Sequence, residues 1–298
     1  MNSKLNWDDL RLVLEVGRGG GLSGAARAMR ANHSTVFRKL NEVEHRLGVR
    51  LFERFRTGYA PTPAGEAMIM FADRFADEIS DLERRLVGQD VRPSGTVRIT
   101  TTDTLLPLVA PCLARIRREH PEIVLEVVVS NTLLSLNRRD ADIAIRPTRQ
   151  PPPELIGRRI ARIGFAIYAA AGDEEPTGLA NADRPWVSPD DTLSHTAAAK
   201  WMKANVPEHR IAARSNTLVG LLEMVRTGIG VAALPCYLAD AAGLRRLNPP
   251  EATMETELWL LTHEDLRGVA RVRVVLDGFA AMLAQRREAL EGSGGHTG

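Results

Sequence analysis

Cysteine is nearly absent from this chain of 298 residues, which holds only two, Cys112 and Cys236. They lie far apart and show no metal-ligand spacing, which excludes a disulfide-stapled scaffold or a zinc-held module. Free buried thiols are expected, with redox sensing as the alternative. No apolar run approaches the roughly twenty residues a membrane span requires, and no signal-peptide pattern precedes Trp7. A cytoplasmic protein without a membrane partner is therefore expected. Also missing are a Gly-x-Ser-x-Gly elbow, a P-loop, a dinucleotide fingerprint and a metal-spaced His/Cys set. Gly228-Ile229-Gly230 alone is too short to stand for one of these, and His263, Asp265 and the serines show no spacing that makes a triad. Catalysis, a metal and a cofactor are accordingly not expected. Aromatics are few, at 5%, yet 44% hydrophobic residues supply ample material for packed cores, and the length suggests two or three domains.

What the chain does hold begins with Leu22-Ser23-Gly24-Ala25-Ala26-Arg27-Ala28-Met29, a short break, and Ser34 to Glu44. Two helices crossing at a steep angle need slim residues where their backbones approach, and Gly24, Ala25 and Ala28 supply them. Ala26 and Met29 are left to face the core. In the second helix Val36, Leu40, Val43 and Leu47 fall on one stripe. Outside it stand His33, Ser34, Thr35, Phe37, Arg38 and Lys39. Asn32 sits where an N-cap belongs and Gly48 where a helix stops. Val49 to Phe52 then reads as a short strand, and Glu53 to Tyr59 as a basic turn. Thr62-Pro63-Ala64-Gly65 opens a long helix, with Thr62 as cap and Pro63 at its first position. Up to Gly65 there are eleven basic and six acidic residues, a net +5 against +2 for the whole chain. That excess belongs where a phosphate backbone is met.

The order of these motifs, with Leu51-Phe52-Glu53-Arg54 and Thr62-Pro63-Ala64-Gly65, resembles the winged helix-turn-helix of the LysR-type transcriptional regulators. The resemblance implies double-stranded promoter DNA as partner, dimers or tetramers, and contact with RNA polymerase. By position, His33, Ser34 and Thr35 approach base edges, Arg38 bonds a guanine or a phosphate, and Asn32 is a further DNA-binding residue. Lys39 lies beside them. Ser23, Arg54 and Arg56 are expected to grip the backbone, setting affinity and register more than sequence. The family commonly has Gln where His33 stands and a small hydroxyl residue where Phe37 stands, so the DNA sequence read by relatives does not transfer. Phe37 either tucks against the core stripe or meets a thymine methyl group.

From Ala64 to about Val87 the apolar residues Met68, Phe71, Phe75, Ile79, Leu82 and Leu86 recur every three or four positions among charged ones, approximating a heptad seam. A second subunit is the expected partner for that seam. The alternative is packing on its own chain. Gly88 to Gly95 reads as a hinge.

Beyond it strands and helices alternate: strands at Thr96–Thr100, Ile123–Val129 and Asp142–Arg146, near Ile211 and at Leu258–His263, with Trp186-Val187 and the Gly228 to Pro235 segment continuing the same style. Helices fall at Leu105–Glu119, Leu133–Arg138, His195–Ala204, Thr217–Arg226 and Val269–Ala289. Alternation implies a parallel sheet covered by helices. With Ala141-Asp142-Ile143-Ala144-Ile145-Arg146 and Gly228-Ile229-Gly230 running into Leu234-Pro235, the pattern resembles the family's effector domain. The fold expected is α/β: residues 1–65 a winged helix-turn-helix, 66–92 a linker helix and hinge, and 93–292 a two-lobed, periplasmic-binding-protein-like effector domain. Lobe I covers about 93–164 and 265–292, and lobe II about 165–264.

In such sheets ligands sit beyond the carboxyl ends of the strands. That places Thr101, Thr102, Thr104, Ser130, Asn131 and Thr132 at a cleft suited to a small polar or anionic effector, with Asn216 and Thr217 closing from the other side. Thr104 and Thr132 serve equally well as helix caps. Arg146 pairs either with an anionic effector or with Asp142, and His263 reads as a structural hydrogen-bond donor. Rival readings are an architectural DNA-binding protein without ligand response, and an enzyme.

Overall fold

The computed structural model describes residues 5–55, 58–86, 93–131, 141–173 and 184–294. The chain folds as two units, Met1–Arg92 and Pro93–Gly298.

The first unit is built on α1 (Trp7–Arg18), a helix for which the sequence motifs gave no assignment. Its start is a reciprocal cap: the Asn6 side chain accepts from the Asp9 N–H at 2.9 Å, and the Asp9 carboxylate accepts from the Asn6 N–H at 3.0 Å. α1 buries Leu12, Val13, Leu14 and Val16 against α2 (Leu22–Ala28), α3 (His33–Leu47) and α4 (Pro63–Leu86). At the close approach a Cβ on Gly24 would lie 2.3 Å from the Gly19 carbonyl, so no larger residue fits. Ala25 is fully buried beside it, whereas Ala28 is exposed and plays no part in the crossing. Val36, Leu40 and Val43 form the predicted stripe of α3. Its two ends differ from each other. Gly48 takes the left-handed C-cap at φ 71°, but Asn32 makes no side-chain bond to the helix it precedes.

The strand expected at Val49–Phe52 begins later, as β1 (Phe52–Phe55), which pairs antiparallel with β2 (Gly58–Pro61). Glu44 explains the delay, because its carboxylate accepts the Leu51 and Phe52 N–H groups at 2.7 and 3.1 Å before the ladder starts. Thr62 then caps α4 at the Gly65 N–H (3.1 Å) and donates to the Arg50 carbonyl (2.8 Å).

In the second unit β3 (Gly95–Thr101), β4 (Ile123–Val129), β5 (Ile143–Pro147), β6 (Leu155–Ile163) and β12 (Thr256–His263) form one sheet in the order β4-β3-β5-β12-β6. β3 runs parallel to β4 and β5, but β12 runs antiparallel to β5 and β6, so the sheet is mixed where a parallel one was expected. The chain leaves after β6 and returns as β12, which inserts between β5 and β6 and runs against both. α5 (Leu106–Glu119) and α9 (Ala270–Ala284) pack on this sheet, and α10 (Arg287–Glu291) follows; the single closing helix expected to Ala289 is two. Between the two passes lie β7 (Phe165–Ala169), β8 (Trp186–Pro189), α6 (Ala197–Asn205), β9 (Ile211–Ser215), α7 (Leu218–Arg226), β10 (Ala232–Pro235), α8 (Cys236–Ala241) and β11 (Arg245–Arg246). They give an antiparallel sheet β10-β7-β11 and a parallel pair β8-β9. One hydrophobic cluster joins Ile99, Ile143 and Leu260 of the first sheet to Ile167, Ala169 and Ala233 of the second. The helix expected at Leu133–Arg138 and the hinge residues before Pro93 lie outside the described residues.

Candidate functional site

On the first unit, α3 carries an outward face. His33, Ser34, Phe37, Arg38 and Lys39 are exposed and Thr35 is half-buried, while Asn32 and Ser23 stand exposed nearby. Arg38 pairs with Glu42, one turn on at 3.7 Å with both side chains open to solvent, a pair worth little. Phe37 is 38% exposed, so it is not absorbed by the core stripe. Arg54 reaches back from β1 onto α3: its NH2 donates to Asn41 Oδ1, and its guanidinium lies 5.0 Å from the Phe37 ring centroid. Arg56 lies outside the described residues. Sequence motifs alone did not mark Asn41, Glu44 and Tyr59; Asn41 was findable, standing one helical turn after Phe37 on the same face.

Along α4 the expected seam divides. Met68 is 8% exposed and belongs to the core of its own unit, and Phe75 packs there with its ring edge-on to Trp7 at 5.2 Å. These two positions are committed within the chain, contrary to the seam assignment, because α1 covers the first turns of α4. Phe71 and Leu82 are exposed at 46% and 55%, and Ile79 is half-buried. The Leu86 side chain lies outside the described residues.

The second unit contains a cleft of about 1020 Å³. Thr102, Asp103, Thr104, Asn131, Arg146 and Thr148 line it from the ends of β3, β4 and β5, as predicted for strand carboxyl ends. His195, Thr196, Lys200 and Trp201 come from the opening of α6, Tyr237 from α8, and Ile163, Phe165 and Met254 make the apolar part. Hydroxyls bridge the two sides: Tyr237 donates to Thr104 Oγ1 at 2.9 Å, and Thr104 and Thr102 share a bond at 3.1 Å. Burial raises the Tyr237 phenol well above its ordinary range, so it stays a neutral donor.

Arg146 is 2% exposed. It donates to Thr100 Oγ1 at 2.6 Å and to the Ser130 carbonyl, and burial pushes it down to about 10, still charged at neutral pH. Asp142, the alternative partner, turns its carboxylate to the Arg98 N–H at 2.8 Å. Asn131 Oδ1 accepts the Asp103 N–H at 3.2 Å.

Four expected contacts fall elsewhere. Thr101 is fully buried without lining the cleft, because side chains alternate along β3, and Ser130 does not line it either, though its carbonyl accepts from Arg146. Asn216 is exposed away from the cleft, and Thr217 is occupied as the N-cap of α7, accepting the Gly220 N–H at 2.9 Å; the next residue, Leu218, reaches the cleft instead. Thr132 lies outside the described residues. Missed lining residues such as His195, Lys200 and Tyr237 carried no local signal, since only the tertiary fold gathers them. His263 is nearly buried and does not line the cleft. Both cysteines are buried and free, and among the described residues no His/Cys/Asp/Glu group is placed to hold a metal. No helix among the described residues is long and apolar enough to cross a membrane.

Residues 7–66 match the family model "Bacterial regulatory helix-turn-helix protein, lysR family", and residues 91–284 match "LysR substrate binding domain". The Mau operon transcriptional activator of Paracoccus denitrificans is 28% identical, with 94% of this chain and 98% of that protein covered. The transcriptional regulator CbbR of Xanthobacter flavus is 30% identical over 78% of this chain and 73% of its own length. Among solved structures, a full-length OxyR variant from Pseudomonas aeruginosa has a TM-score of 0.65 at 16% identity, covering 92% of this chain and 94% of its own. Full-length LysG from Corynebacterium glutamicum has 0.60 at 20% identity, covering 93% and 99%. These two share the fold. With both family models matched in the order that the helix-turn-helix, linker helix and cleft-bearing unit follow, the chain belongs to the LysR family and is a DNA-binding transcriptional regulator with an effector-binding domain.

Proposed function

We propose that this regulator acts as a homodimer or tetramer in the cytoplasm, its paired α3 helices reading two half-sites of promoter DNA while a small anionic effector occupies the cleft. The domains are taken as a head at 1–65, a linker at 66–92 and a sensor at 93–292. Ser34, His33, Thr35 and Arg38 are assigned to base edges, and Ser23, Asn32, Lys39 and Arg56 to the backbone. Phe71, Ile79, Leu82 and Leu86 are assigned to the subunit seam. The promoter-bound oligomer contacts RNA polymerase.

The observation that carries the effector reading is the buried, charged Arg146 at the wall of a large, mainly apolar cleft, together with Lys200 and the first turn of α6 opening onto the same space. A carboxylate there meets helix N–H groups, hydroxyls and cations, while Phe165, Trp201 and Met254 accept an apolar body. LysG of Corynebacterium glutamicum was solved with its effector arginine bound, which fits a ligand-responsive sensor. A ligand that favours one arrangement of the cleft shifts the population of subunit packings and so the spacing of the heads.

A thermal-shift screen of small carboxylates tests this, because a true ligand stabilises the native state by mass action. Hits are expected to alter the footprint on promoter DNA, and Arg146→Met is expected to abolish the shift. No shift across a broad anion library favours an architectural protein without ligand response. Arg38→Ala is expected to abolish footprinting with the circular dichroism unchanged; undiminished binding refutes its role.

A further inference from the structure

The outward face of α3 carries a large apolar side chain where solvent-facing residues are otherwise polar or charged. Phe37 is 38% exposed, and it is held in place from a different element. The Arg54 guanidinium sits 5.0 Å from its ring centroid and 5.9 Å from that of Tyr59, donates to Asn41 Oδ1, and pairs with Glu44 at 3.7 Å. Glu44 in turn accepts the Leu51 and Phe52 N–H groups, so the strand that carries Arg54 is itself tied to α3. A cation stacked on an aromatic face and anchored at two further points restrains the ring's rotamers before any ligand arrives.

We infer that Phe37 is a specificity-determining residue that takes the C5-methyl of a thymine in the major groove, and that Arg54 is a positioning residue which presents the ring rather than a grip on phosphate. This rests on the reading of α3 as the recognition helix. An apolar ring facing the groove has one apolar feature to recognise there, the thymine methyl. Contact between the exposed part of the ring and that methyl gains what burial of one methyl group gives, about fourfold in affinity.

The test begins with full-length protein enriching duplexes from a random-sequence pool by gel shift. Each thymine of the enriched duplex is then replaced singly by deoxyuridine, which keeps the base pair and removes only the methyl. Wild type is expected to lose about fourfold at one thymine in each half-site. Phe37→Ala is expected to bind thymine and uracil equally at that position, and Phe37→Leu to keep a preference for thymine. Arg54→Met is expected to lose the discrimination while melting as wild type does, and Arg54→Lys to restore it in part. Equal binding of both bases by wild type at every position overturns the inference, as does a Phe37→Ala variant with the wild-type ratio. An unchanged ratio in Arg54→Met overturns the positioning role alone. Failure of wild type to enrich any duplex overturns the underlying reading of α3 as well.

Discussion

Truncating two methionine- and phenylalanine-sized side chains on α4 separates its core face from its seam. Met68 is 8% exposed inside the head, and Met68→Ala is expected to cost about 2–3 kcal/mol there by lost transfer and the cavity left behind. In a unit of this size that lowers the melting temperature by about 10 °C or more. Phe71, one turn along, is 46% exposed, which leaves roughly 90 Å² of its ring surface for a partner. At about 25 cal/mol per Å² that is roughly 2 kcal/mol per subunit, or about 4 kcal/mol for a symmetric pair. Phe71→Ala is therefore expected to weaken the dimer about 10³-fold, moving its dissociation into a range that sedimentation equilibrium measures, with a smaller fall in head stability. The reasoning is refuted if Phe71→Ala leaves the dimer constant unchanged, or if Met68→Ala dissociates subunits without lowering the melting temperature.

The Cys112 thiol is pushed up to about 12 by burial, so the native state holds its proton more tightly than the unfolded chain does. That contribution is complete below about pH 9 and is lost between 9 and 12; unfolding free energies from urea titrations at pH 8 and 10.5 are expected to differ by about 2 kcal/mol, with Cys112→Ala reducing the difference. Thr62→Ala removes the cap of α4 and the bond to the Arg50 carbonyl, at a cost of about 1–2 kcal/mol that Thr62→Ser largely restores, read by thermal melting. Thr217→Ala is expected to cost about 1 kcal/mol of stability as a lost cap and to leave effector-dependent DNA footprints as they are. Tyr237→Phe, which breaks the hydroxyl bridge across the cleft, is expected to change ligand-induced thermal shifts instead.

The parts legible in the sequence were those governed by local rules. The α3 stripe, Gly48 at the helix end and Thr62-Pro63 at the start of α4 each follow from what a helix terminus or a buried face demands of neighbours in the chain. β6 was missed because it carries three exposed arginines, Arg158, Arg159 and Arg162, matched by Asp277, Glu257 and Glu255 far along the chain. That pattern reads as a polar loop until its partners are known. The mixed sheet was missed for a related reason: strand direction depends on the return of β12, which no window of sequence contains. At the cleft, residues directly after β3 and β4 were found because strand ends have a fixed side, while Lys200, Trp201 and Tyr237 come from elements placed by the fold. Met68 and Phe75 were assigned to a partner because heptad spacing does not say which neighbour covers it, and the unassigned α1 does.

The hydrophobic cluster running beneath both sheets of the sensor is shared by its two halves, so unfolding one uncovers apolar surface of the other. Neither half retains a complete core without the other, so calorimetry of the isolated sensor should give one endotherm, and damage on either side should shift it as a whole.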